Sequence, residues 1–232
     1  MLLPLFLWVF SMNKKVQWIV RLLFIFYMLY IGGVIASGKA VYSFLLLNTF
    51  LAYIPIEIGM HINEKQPRWL FVILFILWLL FYPNAPYVLT DLFHLAKINP
   101  YNAVTGLMVF KLRIWWHYGN LVFSALMSSL FGVWSLSCIS KVITKRFKKK
   151  SPFFEISIVG ILILASSIGV YIGRFLRLHT VYLFMDPHGV INDLIQMWNV
   201  RMLVFVILIA VFQALIWLVM NIYRSTFNKF EE

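Results

Sequence analysis

Apolar runs of about twenty residues, separated by short polar breaks, make up most of this chain. A helix needs about 20 apolar residues to cross the ~30 Å of hydrocarbon in a bilayer, and most of the runs come near that length. The pattern predicts spans over roughly Val16–Ala36, Val41–Ile62, Trp69–Tyr82, Gly119–Ile139, Phe153–Arg177 and Arg201–Tyr223. None of them alternates with the period of a barrel strand, and an open sheet would leave unpaired backbone groups in lipid. The predicted fold is therefore an all-α integral membrane protein of about six transmembrane helices, one domain over residues 1–232. Met1–Met12 is apolar but too short to cross alone, and its positive charges follow the apolar stretch, unlike those of a signal peptide. It reads as an interfacial or re-entrant helix, with a seventh span as the alternative.

Composition agrees with the pattern. Hydrophobic residues form 62% of the chain, charged residues only 12%, and the mean hydropathy is +0.88. A soluble domain carries about twice that charged fraction. The sparse charges set an orientation, because cytoplasmic loops collect Lys and Arg. Lys141, Lys145, Arg146 and Lys148–Lys150 lie between the fourth and fifth spans. Placing that connection in the cytoplasm puts twelve basic residues inside and seven outside, with Arg21 within a span. Both termini are then expected to be cytoplasmic, in a multi-pass protein of the cell membrane. The net charge of +12 is accounted for by this topology, so no nucleic-acid partner is expected. The basic run ending KRFKKK also suits anionic inner-leaflet lipids.

The single cysteine, Cys138, forms no internal disulfide and excludes cysteine-rich metal sites. No GxGxxG, Walker-type loop or HExxH occurs, which removes the common nucleotide and zinc-protease motifs. No cofactor is expected.

Two polar signatures break the apolar background: PNAPYVLTDLFH (Pro83–His94) and GRFLRLH (Gly173–His179). Ionisable groups at a membrane are expensive, which makes a cluster of them a functional-site hypothesis. In the first signature, Pro83 and Pro86 stop the third span, since proline lacks an amide hydrogen and clashes with the preceding turn. Asn84 or Ala85 is expected to cap a short amphipathic helix near residues 86–96 at the outer boundary. Tyr87, Asp91 and His94, at spacings of four and three, then share one face. A carboxylate beside an imidazole suits acid–base chemistry, with Asp91 and His94 as the candidate catalytic pair. The bland alternative is an interfacial helix whose polar face meets water and headgroups.

The second signature ends the fifth span. Tyr171, Arg174 and Arg177 recur every three residues, and Gly169 with Gly173 forms a GxxxG pair that lets another backbone approach. Arginine's planar fork grips phosphate or carboxylate. The candidate partners are Asp91, Asp186, Asp193 or an anionic ligand, against an alternative in which both arginines anchor the helix at headgroups.

His94, His117, His179 and His188 fall in predicted outer regions, but their spacing with Asp91 and Asp186 fixes no metal geometry, and no metal site is assigned. Glu57 and His61 form an i, i+4 pair explained by a local ion pair or a solvated helix end. Trp115, Trp116 and Tyr118 read as an interfacial aromatic belt just before the fourth span.

PNAPYVLTDLFH after an aromatic-rich span, SIGVYIGRFLR followed by Asp186–Pro187, and LAYIP (Leu51–Pro55) together resemble a bacterial membrane-protein family, the domain of unknown function 1361. The chain departs from that pattern at Leu178, His179 and Thr180. The resemblance implies a multi-pass membrane protein and marks Asn84, Pro86, Tyr87, Asp91, Gly173, Arg174 and Arg177 as signature positions. It brings no reaction.

Three functions are compatible with these residues. In an outer-leaflet enzyme, Arg174 and Arg177 hold an anionic or lipid-linked ligand, Asp91 is the base and His94 orients the proton. Asn84, Tyr87 and Asp186 complete the candidate ligand-binding set. In a transporter or flippase the same residues form a gate. In an accessory protein an Asp–Arg network locks helices together. Membrane lipids are the expected partners in each case; protein partners are unassigned.

Overall fold

A computed structural model describes residues 14–38, 43–102, 104–148, 151–177 and 186–228. The predicted Met1–Met12 helix lies outside these, as do Leu178–Thr180. Six helices are long and apolar enough to cross a membrane, and the protein is all-α. They are α1 (Lys14–Ala36), α2 (Phe44–His61), α3 (Arg68–Phe81) taken with its continuation to Lys97, α5 (Leu112–Arg146), α6 (Pro152–Tyr171) taken with its continuation to Leu176, and α8 (Val200–Asn228) as far as Tyr223. A one-turn helix α4 (Asn84–Tyr87) follows α3, and a short α7 (Pro187–Gln196) precedes α8.

The bundle is built around α5, whose spanning window is 67% buried; the other five present most of their surface outward. The outward residues are Phe26, Leu29, Leu80, Ile161 and their like. The interior is comparatively polar: Ser124, Ser128, Ser135 and Ser140 of α5, Ser166 and Ser167 of α6 and Gln213 of α8 are all buried. In lipid, burying apolar surface gives no drive for association, so small residues and interhelical hydrogen bonds take that role. Trp78 Nε1 donates to Ser135 Oγ at 2.9 Å, and that hydroxyl donates to the Pro55 carbonyl at 3.2 Å. Gln213 joins three helices, accepting from Tyr82 Oη at 3.2 Å and donating to Ser167 Oγ at 3.0 Å. Gly59 lies directly beneath Ser135, and a Cβ on Gly132 would stand 2.6 Å from that of Ala85.

Three expectations are corrected. The fourth span reaches from Leu112 to Arg146, beyond the predicted Gly119–Ile139 at both ends. Trp115, Trp116 and Tyr118 therefore lie on its first turns, not in a preceding loop. Lys141, Lys145 and Arg146 lie on its last turns. Arg146 donates to the carbonyls of Glu64 and Gln66 at 2.9 Å each, while Lys145 meets Glu64 at 3.0 Å, so α5 ties down the α2–α3 connection.

The expected amphipathic α-helix near 86–96 is a single α-turn followed by a 3₁₀ helix, Val88–Lys97. Thr90 Oγ1 donates to the Tyr87 carbonyl (2.7 Å) and His94 Nδ1 contacts the Asp91 carbonyl (3.0 Å). These side chains, each bonded to a carbonyl three residues back, compete with the α-helical ladder. The polar face also points inward. Asp91 is 1% exposed and Phe93 73% exposed, the reverse of a helix resting its charged side in water.

The stripe of Tyr171, Arg174 and Arg177 is broken by a π-helical turn, Ile172–Leu176. Such a turn holds one extra residue and rotates the side chains beyond it about the helix axis. Tyr171 packs on Phe175 and Phe205, whereas Arg174 turns toward Tyr87. Arg177 closes the turn in the left-handed conformation (φ 53°) and is exposed.

Candidate functional site

The two signatures meet. Proline at 83 ends α3, but the backbone stays right-handed through Tyr82, Pro83 and Val88, so the chain bends without leaving the bundle. The bend seats PNAPY on α6 at its glycines. A Cβ on Gly169 would stand 2.5 Å from Pro83 Cγ, and one on Gly173 would stand 3.6 Å from the Tyr87 ring. The GxxxG pair is the socket for the first signature, and the close approach puts Arg174 beside Asp91.

Asp91 is the hub. Its Oδ2 accepts from Asn48 Nδ2 at 2.6 Å, and its Oδ1 accepts from Arg174 Nη1 at 3.3 Å. The same Nη1 is 3.4 Å from Tyr87 Oη, and the guanidinium carbon lies 5.7 Å from the Tyr87 ring centroid. His94 is one 3₁₀ turn on, with Nδ1 3.9 Å from Asp91 Oδ1 and its ring 4.1 Å from that of Phe44. An isolated buried carboxylate is costly, and here an amide and a guanidinium both answer it. Arg174 is less fully used. It bonds through Nη1 alone, its side chain is 22% exposed, and Nε and Nη2 form no hydrogen bond with any described residue. That leaves the planar Nε–Nη2 edge, the geometry that fits a phosphate or carboxylate bidentately.

Of the candidate residues, the fold brings Tyr87, Asp91, His94 and Arg174 together. Three stand elsewhere. Asn84 does not cap α4 but donates back to the Phe81 carbonyl at 2.9 Å. Asp186 is the N-cap of α7, accepting from the Gly189 amide at 2.9 Å, with Pro187 in the first turn. Arg177 forms no ion pair among the described residues. Asn48 was missed, although an amide in LLLNTFL inside an apolar span was its signal. Among the described residues, no three His, Cys, Asp or Glu side chains converge on a point.

A second polar cluster sits toward the other end of α2. Glu57 accepts from Arg21 Nη2 at 2.7 Å and Nε at 3.0 Å, and from Tyr53 Oη at 2.5 Å, while His61 Nε2 lies 2.9 Å away. The expected Glu57–His61 pair is present, and Arg21 of α1 is its unforeseen counter-ion. Every oxygen of Glu57 is engaged, so this cluster joins α1 to α2.

No curated protein and no solved structure matches the chain. A family model matches residues 47–216, from just before Asn48 to just after Gln213 and including both signatures. The chain belongs to the family described as Protein of unknown function (DUF1361).

Proposed function

We propose that this multi-pass membrane protein binds an anionic group, carried on a lipid or lipid-linked molecule, at the extracytoplasmic surface through Arg174. The observation that carries the reading is the half-used guanidinium. Arg174 is oriented by Asp91 and Tyr87 through one nitrogen and keeps its bidentate edge for another anion. Asp91 acts as a positioning residue. At 1% exposure it is too enclosed to take a proton from a ligand directly, so the proposed role is binding, and His94 supports the carboxylate. The extracytoplasmic placement rests on the charge bias of the loops.

The test is mass spectrometry of lipids that co-purify with the wild-type protein and with Arg174→Lys, which keeps the charge but loses the fork. Loss of one anionic species, with unchanged melting temperature, is the expected result. Identical lipid profiles would sink the reading.

The burial of Asp91 favours a second reading, an accessory protein in which Asp91 and Arg174 only lock α6 to the first signature. Under it, an Asp91→Arg/Arg174→Asp exchange restores the stability that each single change removes, and no bound species differs.

A further inference from the structure

Around a second arginine, on α5, the fold leaves a cleft that the Arg174 site does not use. The upper parts of α1 and α5 are joined at Tyr30, whose ring meets Trp116 edge-on at 6.4 Å and whose hydroxyl accepts from Asn120 Nδ2 at 3.3 Å. One turn lower, Tyr27 Oη donates to the Asn120 carbonyl at 2.8 Å. Beyond Tyr30 the helices part, opening a cleft of about 510 Å³ lined by Val34, Ser37, Leu112, Arg113, Trp116 and His117. This is the same end of the bundle as Arg174, because α5 begins where α6 finishes across the membrane.

The lining has a definite chemistry. Val34, Leu112 and Trp116 make apolar walls, and Trp116 is exposed in the manner of an interfacial indole. Arg113 is exposed at the mouth and forms no ion pair with any described residue, and none of the described lining residues is acidic. Ser37 Oγ is turned back onto the Val34 carbonyl at 2.8 Å, so its proton is already committed, and Arg113 carries the fixed positive charge of the lining. A guanidinium with no ion pair among the described residues, beside apolar walls, fits a group with one negative charge and an apolar body. The apolar body has a path along the bundle: below the cleft, Phe26 and Leu29 of α1 and Phe123 and Leu126 of α5 are exposed.

We infer that this cleft is a second binding site, for the phosphodiester headgroup of an anionic phospholipid, with Arg113 as the cation and the acyl chains lying along α1 and α5. It is independent of Arg174, which is held by other helices.

Native mass spectrometry of the full chain tests it, with phosphatidylglycerol and phosphatidylcholine titrated separately into wild type, Arg113→Gln and Arg113→Lys. Retention of one phosphatidylglycerol should fall about five-fold in Arg113→Gln, as expected for one basic residue at an anionic surface, and survive in Arg113→Lys. Phosphatidylcholine should be held weakly by all three proteins, and excess inorganic phosphate should not displace the lipid. The Arg174→Lys protein should keep this lipid, which separates the two sites. Equal phosphatidylglycerol retention in wild type and Arg113→Gln overturns the proposal. So does phosphatidylcholine binding as tight as phosphatidylglycerol, which would mark an apolar seat only. Displacement by phosphate overturns it as well, in favour of a free-anion site. Arg113 is exposed and joins no hydrogen-bond network among the described residues, so the variants are expected to melt with the wild type; a glutamine protein that failed to fold leaves the lysine comparison and the lipid specificity to decide.

Discussion

Asp91 and Arg174 are unequal partners. The carboxylate is enclosed and held by Asn48 as well, whereas the guanidinium reaches the surface and leans on it through one nitrogen. Removing Arg174 therefore strands a charge, while neutralising Asp91 does not. Arg174→Ala is expected to cost roughly 2 kcal/mol, below the ~3–5 kcal/mol of a fully buried pair because the arginine is partly solvated. Asp91→Asn should cost less than that, and the double variant Asp91→Asn/Arg174→Ala should be more stable than Arg174→Ala alone. Thermal unfolding in detergent reads all three, and a double variant below the single would refute the asymmetry. Asn48→Leu removes a 2.6 Å bond to a buried charge, and a loss of about 1.5–3 kcal/mol is expected in the same assay.

Helix packing makes a sharper prediction at the glycines. Pro83 is a rigid ring fixed in the backbone, so a methyl group at Gly169 has nowhere to go, while at Gly173 it meets the Tyr87 ring at an ordinary contact distance. Gly169→Ala should cost about 1–3 kcal/mol and disturb the Arg174 site, and Gly173→Ala should be close to neutral. If the two were equal, the socket would be wrong. Much of this level was legible in the sequence. The six spans are evident from run length, the α3 stop from Pro83, and the close approach from Gly169 and Gly173. The local geometry is not, because it is decided by side-chain bonds to the backbone: Thr90 and His94 tighten one segment, and the π-turn at 172–176 turns Tyr171 away from Arg174. Asn48 stands out as an oddity but cannot be assigned, since its partner stands 43 residues away. Asp186 reads as a ligand in the sequence, although Asp followed by Pro is also the signature of a capped helix start, which is what it forms.

At the scale of the whole molecule, six crossings put Pro83–His94 and Gly173–Arg177 at one end of the bundle, and Lys145, Arg146 and Lys148 at the other. With Cys138→Ser as background, single cysteines at Lys148 and His188, both exposed, should react with impermeant thiol reagents from opposite sides, His188 from outside. Labelling of position 188 from the cytoplasm would invert the proposed orientation and move the Arg174 site with it. The Arg21–Glu57 pair bears on how such a molecule is made. Taken alone, α1 would carry an unanswered arginine into the bilayer, a penalty of up to ~2.5–3.5 kcal/mol at a helix centre. The answering carboxylate is 36 residues further along the chain. α1 is thus completed only by α2, and the two are expected to leave the insertion channel as a hairpin, with α1 waiting until Glu57 has arrived.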